Sequence, residues 1–335
     1  MDSLNIYFTA PEKVEIRKEA APEPGPDHVR VRTRRSLIST GTECICYGHQ
    51  FAPGTHWDNW VKYPFATGYS SVGVVESVGS QVKDIKAGDR VTAQYPHQAL
   101  FVTHASAVTP VPDGVSDEDA TWFAIANITQ VGVRQAEHAL GDAVVIVGAG
   151  ILAQLVVQYV RLQGAREIIV VDPAAHRLKA ATDHGATRTI DRTAEQAYEE
   201  IWAVTGGRGA DVVYEITGNY SVLPSALRLA RRFGTLLLLG DTGSPSEQRL
   251  TGDVVTRGVR IVGGHSNYAP PFANDYVYWT NANMSQLFFT YLQRGDMRVG
   301  DLITHRVKPA DAAEVYAWLL RDRSQAMGVI FEWNE

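Results

Sequence analysis

Apolar and polar residues alternate in short runs through the first third of the chain. Val29-Arg30-Val31-Arg32-Thr33 alternates strictly, and Ser71 to Val78 does so more loosely. That period of two belongs to half-buried strands. Gly and Pro punctuate the runs at Pro22, Pro24-Gly25-Pro26, Pro53-Gly54, Gly88-Asp89 and Pro112-Asp113-Gly114. Residues 1–122 therefore read as an antiparallel β domain with long loops.

The texture changes near residue 123. Ala143 to Val147 is a short apolar run of the kind that fills a buried parallel strand, and Glu167 to Val171 reads as a second buried strand. Thr187–Ile190, Asp211–Thr217, Thr235–Gly240 and Arg260–Gly263 continue the series. Helical spacing lies between them, over Gly150–Gln163 and Ser221–Arg232. Strand alternating with helix predicts a doubly wound parallel sheet, so the fold class is α/β with a second domain over 123–295. From about 296 the pattern shifts again, to a helix over Asp311–Arg321 and a last strand over Met327–Trp333.

Composition narrows the function classes. A chain of 335 residues suits two domains, and 45% apolar with 20% charged residues is ordinary for a globular protein. The net charge of -6, without a Lys/Arg cluster, argues against a nucleic-acid partner or an anionic membrane surface. No run of 18 uninterrupted apolar residues occurs, so a cytoplasmic protein is expected. The two cysteines, Cys44 and Cys46, cannot build a disulfide framework or a four-cysteine zinc lobe. If extended, they point to opposite faces.

The first chemical motif is Gly148-Ala149-Gly150-Ile151-Leu152-Ala153, which leaves a buried strand and opens a helix. Gly148 permits the tight turn, Gly150 lets backbone approach a pyrophosphate, and Ala153 allows close helix–sheet packing. The amides of Ile151 and Leu152 then begin a helix whose positive end suits phosphate. Asp172 ends the next strand, where an acid accepts hydrogen bonds from an adenosine ribose. Its charge repels a 2′-phosphate, so NAD is expected over NADP, with Arg177 softening that preference.

Together with Gly68–Gly79 (GYSSVGVVESVG), Ala87-Gly88-Asp89-Arg90-Val91, Asp211–Gly218 (DVVYEITG) and Leu302–Arg306 (LITHR), this motif resembles the medium-chain dehydrogenase/reductase superfamily, the zinc-type alcohol dehydrogenases and their relatives. The resemblance covers nearly the whole length. It implies a GroES-like domain over 1–122, completed by 296–335, and a Rossmann domain between. The pairing of Ser-Thr-Gly-Thr-Glu with Gly-Tyr-Ser is similar to a branch that includes bacteriochlorophyllide dehydrogenases. The resemblance also implies cofactor contacts at Thr217, Gly240 and Ser266, and a homodimer, with which the apolar Leu287-Phe288-Phe289 segment is compatible.

The departures from the family concern metal. Thr40 stands where zinc-type members place a cysteine ligand, and Tyr69 where they place a histidine. Asn127 is the nearest equivalent of the third ligand, in a stretch from Thr121 to Ala136 that contains no Cys, His, Asp or Glu. A family histidine position, five residues after Thr40, is Ile45. Hydroxyls and an amide do not replace thiolate, imidazole and carboxylate. No zinc is expected, the alternative being an off-pattern site from Cys44, Cys46, His49 and His56.

Without a metal, another group must stabilise charge arriving on oxygen. Tyr69 and Thr42 rank first by their motif positions, followed by Thr40 and Asn127, with Glu43 behind them as a supporting partner. His49, Trp57, Tyr95 and His97 are expected near the substrate mouth. The expected function is zinc-independent, NAD(H)-dependent interconversion of a secondary alcohol and a carbonyl on a small or cyclic metabolite. Reduction of a conjugated C=C bond, and a non-catalytic dinucleotide-binding protein, are the alternatives.

Overall fold

A computed structural model describes residues 2–333, and the counts below refer to those residues. The chain divides into two compact units, one formed by Ala126–Thr280 and the other by the segments before and after it. The first division falls inside the helix Phe123–Gln135.

The outer unit is built on the strand His28–Ile38, which pairs antiparallel with Ser71–Val78, Leu100–His104 and Gly328–Glu332 in a seven-stranded sheet. Its alternation places Val29 and Val31 against Val75, Val91 and Phe101, all at most 1% exposed. A three-stranded sheet joins Lys13–Ala20, Asp2–Ala10 and Phe65–Ala66. A second core gathers Ile6, Phe8, Trp57, Tyr316 and Phe331 around the helices Thr42–Tyr47 and Ala312–Arg321. Each such side chain removed from water contributes on the order of 1.5–3 kcal/mol.

Cys44 and Cys46 sit in that first helix, not on an extended segment, and both are fully buried. Their apolar neighbours Tyr47, Phe51 and Trp57 account for this. The helix Asn281–Arg294 belongs to the outer unit, although the sequence reading carried the inner domain to 295. It is held there by the buried Met284, Phe288 and Phe289, and by Gln286 and Gln293, whose amides donate to the carbonyls of Pro110 and Asp113 at 3.2 and 2.8 Å. Phe288 and Phe289 are interior residues, so they offer no surface for pairing with a second copy.

The inner unit is a six-stranded parallel sheet. Its spatial order is Arg188–Ile190, Glu167–Val171, Ala143–Val147, Ala210–Glu215, Ala230–Leu238 and Arg260–Gly263. The order reverses between Ala143–Val147 and Ala210–Glu215, the switch point at which such sheets bind ligands beyond their carboxyl ends. The helix expected over Ser221–Arg232 is shorter, Leu223–Leu229, because a strand begins at Ala230. Phe233 in that strand takes a φ of 57°.

Candidate active site

The glycine turn lies at the switch point. Gly148 has a φ of +100°, and a Cβ there would meet Thr217 Cγ2 at 3.2 Å. Only glycine suits both conditions. Gly150 is the N-cap of the helix Ile151–Leu162, with no side chain capping it and open space where its Cβ would stand. The amides of the first turn, including Ile151 and Leu152, therefore begin a twelve-residue helix at an open backbone edge. Ala153 is fully buried, as close helix–sheet contact requires. These residues fit a dinucleotide pyrophosphate.

Asp172 is held by two backbone amides. Its Oδ2 accepts the Ala149 amide at 2.8 Å and its Oδ1 the Ala174 amide at 2.8 Å, so the carboxylate also fixes the glycine turn. A carboxylate pair of oxygens keeps further lone pairs for hydroxyl donors. The carbonyl of Arg177, the third residue of the helix Ala175–Asp183, accepts from Gln154 Nε2 at 3.1 Å. Glu215 is a residue the sequence did not single out. It is 1% exposed, and burial raises its carboxyl above the usual range, while its Oε1 accepts the amide and the hydroxyl of Thr217. The Thr217 hydroxyl thus serves the loop. Gly240 donates its amide to the Glu215 carbonyl at 2.9 Å, and a Cβ there would lie 2.5 Å from Gly218 N. Ser266 opens a single turn, Ser266–Tyr268, after the last parallel strand. Asn127 is fully buried on the helix Phe123–Gln135, in the inner unit.

In the outer unit, Thr42 and Tyr69 meet beside Ser39, which Thr40 follows directly in the chain. The Tyr69 hydroxyl donates to Ser39 Oγ at 2.6 Å and is also hydrogen-bonded to Thr42. Burial pushes the Tyr69 phenol up to about 12, the charge of Glu43 adds to the rise, and the bonds to Ser39 and Thr42 oppose it. Tyr69 is therefore a proton-bearing donor across the neutral range. Thr40 is 8% exposed.

Glu43 is the hub beneath this cluster. It is 2% exposed; its Oε1 accepts the Ser39 amide at 2.7 Å, and its Oε2 the Thr67 hydroxyl at 3.0 Å and the Tyr316 hydroxyl. His97 Nε2 lies 3.1 Å from the same Oε2. His97 is fully buried, so it is a member of this network and not a wall of the substrate mouth. Trp57, at 4% exposure, is likewise core. The short helix His56–Trp60 in which it sits turns Trp60, 49% exposed, outward instead. Tyr95 is half-buried, stacked on Phe101 with centroids 4.3 Å apart. His49 is exposed, packed on Phe51 at 4.3 Å.

A catalytic zinc needs thiolate, imidazole or carboxylate donors, and Thr40 and Tyr69 offer only hydroxyls. Among the described residues no three His, Cys, Asp or Glu side chains converge to hold a metal ion. The off-pattern alternative fares no better. Burial pushes the Cys44 thiol up to about 11 and raises Cys46 further, while His49 and His56 are exposed. The donor set does not fit zinc.

The comparisons agree with this architecture. Residues 25–113 match the alcohol dehydrogenase GroES-like domain family, and residues 152–276 the zinc-binding dehydrogenase family. The latter match covers neither Thr40 nor Tyr69. D-guloside 3-dehydrogenase of Escherichia coli (strain K12) is 30% identical over 80% of this chain and 78% of its own length. A quinone oxidoreductase of Pseudomonas aeruginosa is 29% identical over 97% of this chain and 98% of its own. Among solved structures, an Escherichia coli oxidoreductase/dehydrogenase of unknown specificity involved in membrane biogenesis superposes with a TM-score of 0.84. It is 20% identical and covers 100% of both chains. The candidate dinucleotide turn and the two matched domains lead to one conclusion: the chain belongs to the medium-chain dehydrogenase/reductase superfamily and is an oxidoreductase.

Proposed function

We infer that this protein interconverts a secondary alcohol and a carbonyl on a small or cyclic metabolite, using NAD(H) and no zinc. The observation that carries the reading is the Tyr69 phenol, held by Ser39 and Thr42 where zinc-type relatives keep a metal ligand. The name of the D-guloside 3-dehydrogenase relative supports a hydroxylated substrate.

A bound nicotinamide cofactor supplies or takes the hydride. The chain does the rest. The amides after Gly150 hold the pyrophosphate, and Asp172 accepts from the ribose and disfavours a 2′-phosphate. Reduction at a carbonyl carbon places negative charge on its oxygen. Tyr69 turns its single hydrogen from Ser39 Oγ to that oxygen, donating a hydrogen bond and then the proton, while the Ser39 and Thr42 hydroxyls are placed to donate to the phenol oxygen in return. In the oxidative direction the deprotonated Tyr69, whose fraction grows as pH rises towards about 12, takes the alcohol proton.

The test is NADH oxidation with cyclohexanone and NAD+ reduction with sorbitol, each run against the NADP(H) counterpart. Turnover faster with NAD(H) is expected. Turnover confined to NADP(H), or none with any ketone or alcohol, contradicts the reading. The quinone oxidoreductase relative, which spans 97% of this chain, favours a second reading in which a conjugated substrate takes the hydride. Faster NADH oxidation with 1,4-benzoquinone than with cyclohexanone would select it. The reading includes a homodimer, tested by light scattering against the protomer mass of 36.7 kDa.

A further inference from the structure

We propose that Glu43 is the positioning residue of the active site: its buried carboxylate fixes Ser39, and through Ser39 the Tyr69 hydroxyl, while Thr67, His97 and Tyr316 hold the carboxylate in place. The inference rests on the reading of Tyr69 given above. Glu43 follows Thr42 directly, yet its side chain turns away into the core of the outer unit.

Every contact made by this carboxylate is to a group able to donate. Ser39 offers a backbone N–H at 2.7 Å, Thr67 and Tyr316 offer hydroxyls, and His97 Nε2 lies 3.1 Å away. The site is built for a group that only accepts. The proton directions continue outward consistently. Trp333 Nε1 can only donate, and it donates to Ser36 Oγ at 2.8 Å. Ser36 Oγ lies 2.8 Å from His97 Nδ1, so the Ser36 hydroxyl can donate to Nδ1 while the ring hydrogen sits on Nε2, facing Glu43. A neutral imidazole satisfies the whole chain.

The contact with Tyr69 is doubly fixed. Ser39 gives its amide to Glu43 and its hydroxyl oxygen to Tyr69, so one residue links the anion site to the phenol. From the other side, the His97 ring occupies the space a Cβ on Gly68 would need, at 2.5 Å, and Gly68 precedes Tyr69. Glu43 and His97 together therefore set both the hydroxyl and the backbone of the donor. Tyr316, on the helix Ala312–Arg321, ties the C-terminal segment to the same point.

Glu43→Gln keeps the volume but turns an acceptor into a donor, which must then face either the Ser39 amide or the Thr67, Tyr316 and His97 group. The test is a kinetic double-mutant cycle with Tyr69→Phe in the full-length enzyme, on NADH and the carbonyl probe turned over fastest. Glu43→Gln should lower kcat about tenfold or more, by misplacing the donor. The KM for NADH should stay unchanged, because the glycine turn belongs to the inner unit. In the Tyr69→Phe background the same substitution should cost less than about twofold, since there is no hydroxyl left to position. Equal losses in both backgrounds would overturn the positioning role and leave the reading of Tyr69 standing. A Tyr69→Phe enzyme at full rate would overturn that reading and the proposal with it. If Glu43→Gln does not fold, Tyr316→Phe removes one donor while keeping the ring, and must show the same dependence on Tyr69.

Discussion

Two side chains carry the chemistry on which the functional reading depends, Tyr69 and Asp172. Tyr69→Phe removes the donor to the substrate oxygen and should lower kcat by about 10²–10³, the range for losing one preorganised oxyanion donor. Affinity for NADH, measured by fluorescence titration, should not change. The phenol also leaves a mark on stability. Its folded-state value, up to about 12, lies above the ordinary 10.0, so the folded protein holds this proton more tightly than the unfolded chain. That contribution is complete below pH 10 and is lost as pH rises towards about 12. Urea midpoints taken across that window should fall less steeply in Tyr69→Phe than in the parent. At Asp172, replacement by Asn removes the charge that repels a 2′-phosphate. The ratio of NADPH to NADH dissociation constants should drop about five- to tenfold, the effect of one largely solvated charge pair worth about 1 kcal/mol. An unchanged ratio would assign the carboxylate to the turn alone, through its bonds to the Ala149 and Ala174 amides.

At the scale of elements, the parallel strands were the most legible part of the chain. Ala143–Val147 and, after Glu167, Ile168–Val171 are apolar throughout because both their faces are covered, and continuous runs mark them without help from any partner. The glycine turn was legible for a related reason: its residues act on their own backbone. The helix Thr42–Tyr47 was not, because six residues carry too little periodicity to separate a turn of helix from a strand. The Glu43 hub was hidden by distance along the chain. Its partners Thr67, His97 and Tyr316 lie 24, 54 and 273 residues away, and only the fold brings them together. His97 and Trp57 were placed in the substrate mouth for the converse reason, since a loop position says nothing about burial. Packing at these elements gives two predictions. Gly68 takes a φ of +93° against the His97 ring, so Gly68→Ala should destabilise the fold by about 2–4 kcal/mol, from backbone strain and overlap combined. Ala153→Leu overfills the contact between the helix Ile151–Leu162 and the parallel sheet and should cost about 1–3 kcal/mol. Denaturant midpoints check both.

The whole molecule joins a parallel-sheet unit to a β unit in which, on the reading proposed above, Thr40 and Tyr69 stand at the family's metal-ligand positions. Among the described residues no helix is long and apolar enough to cross a membrane. The family relationship was visible in the sequence because its motifs are backbone motifs, glycine turns and strand runs. The substrate was not, because a pocket is made by side chains from separate loops. The central claim is that this oxidoreductase works through Tyr69 instead of zinc. It is tested most directly by measuring turnover per protomer against zinc content per protomer, across preparations stripped and reloaded with zinc. Full turnover at well below one zinc per protomer is the predicted result. A rate that rises in proportion to bound zinc and vanishes without it would contradict the account.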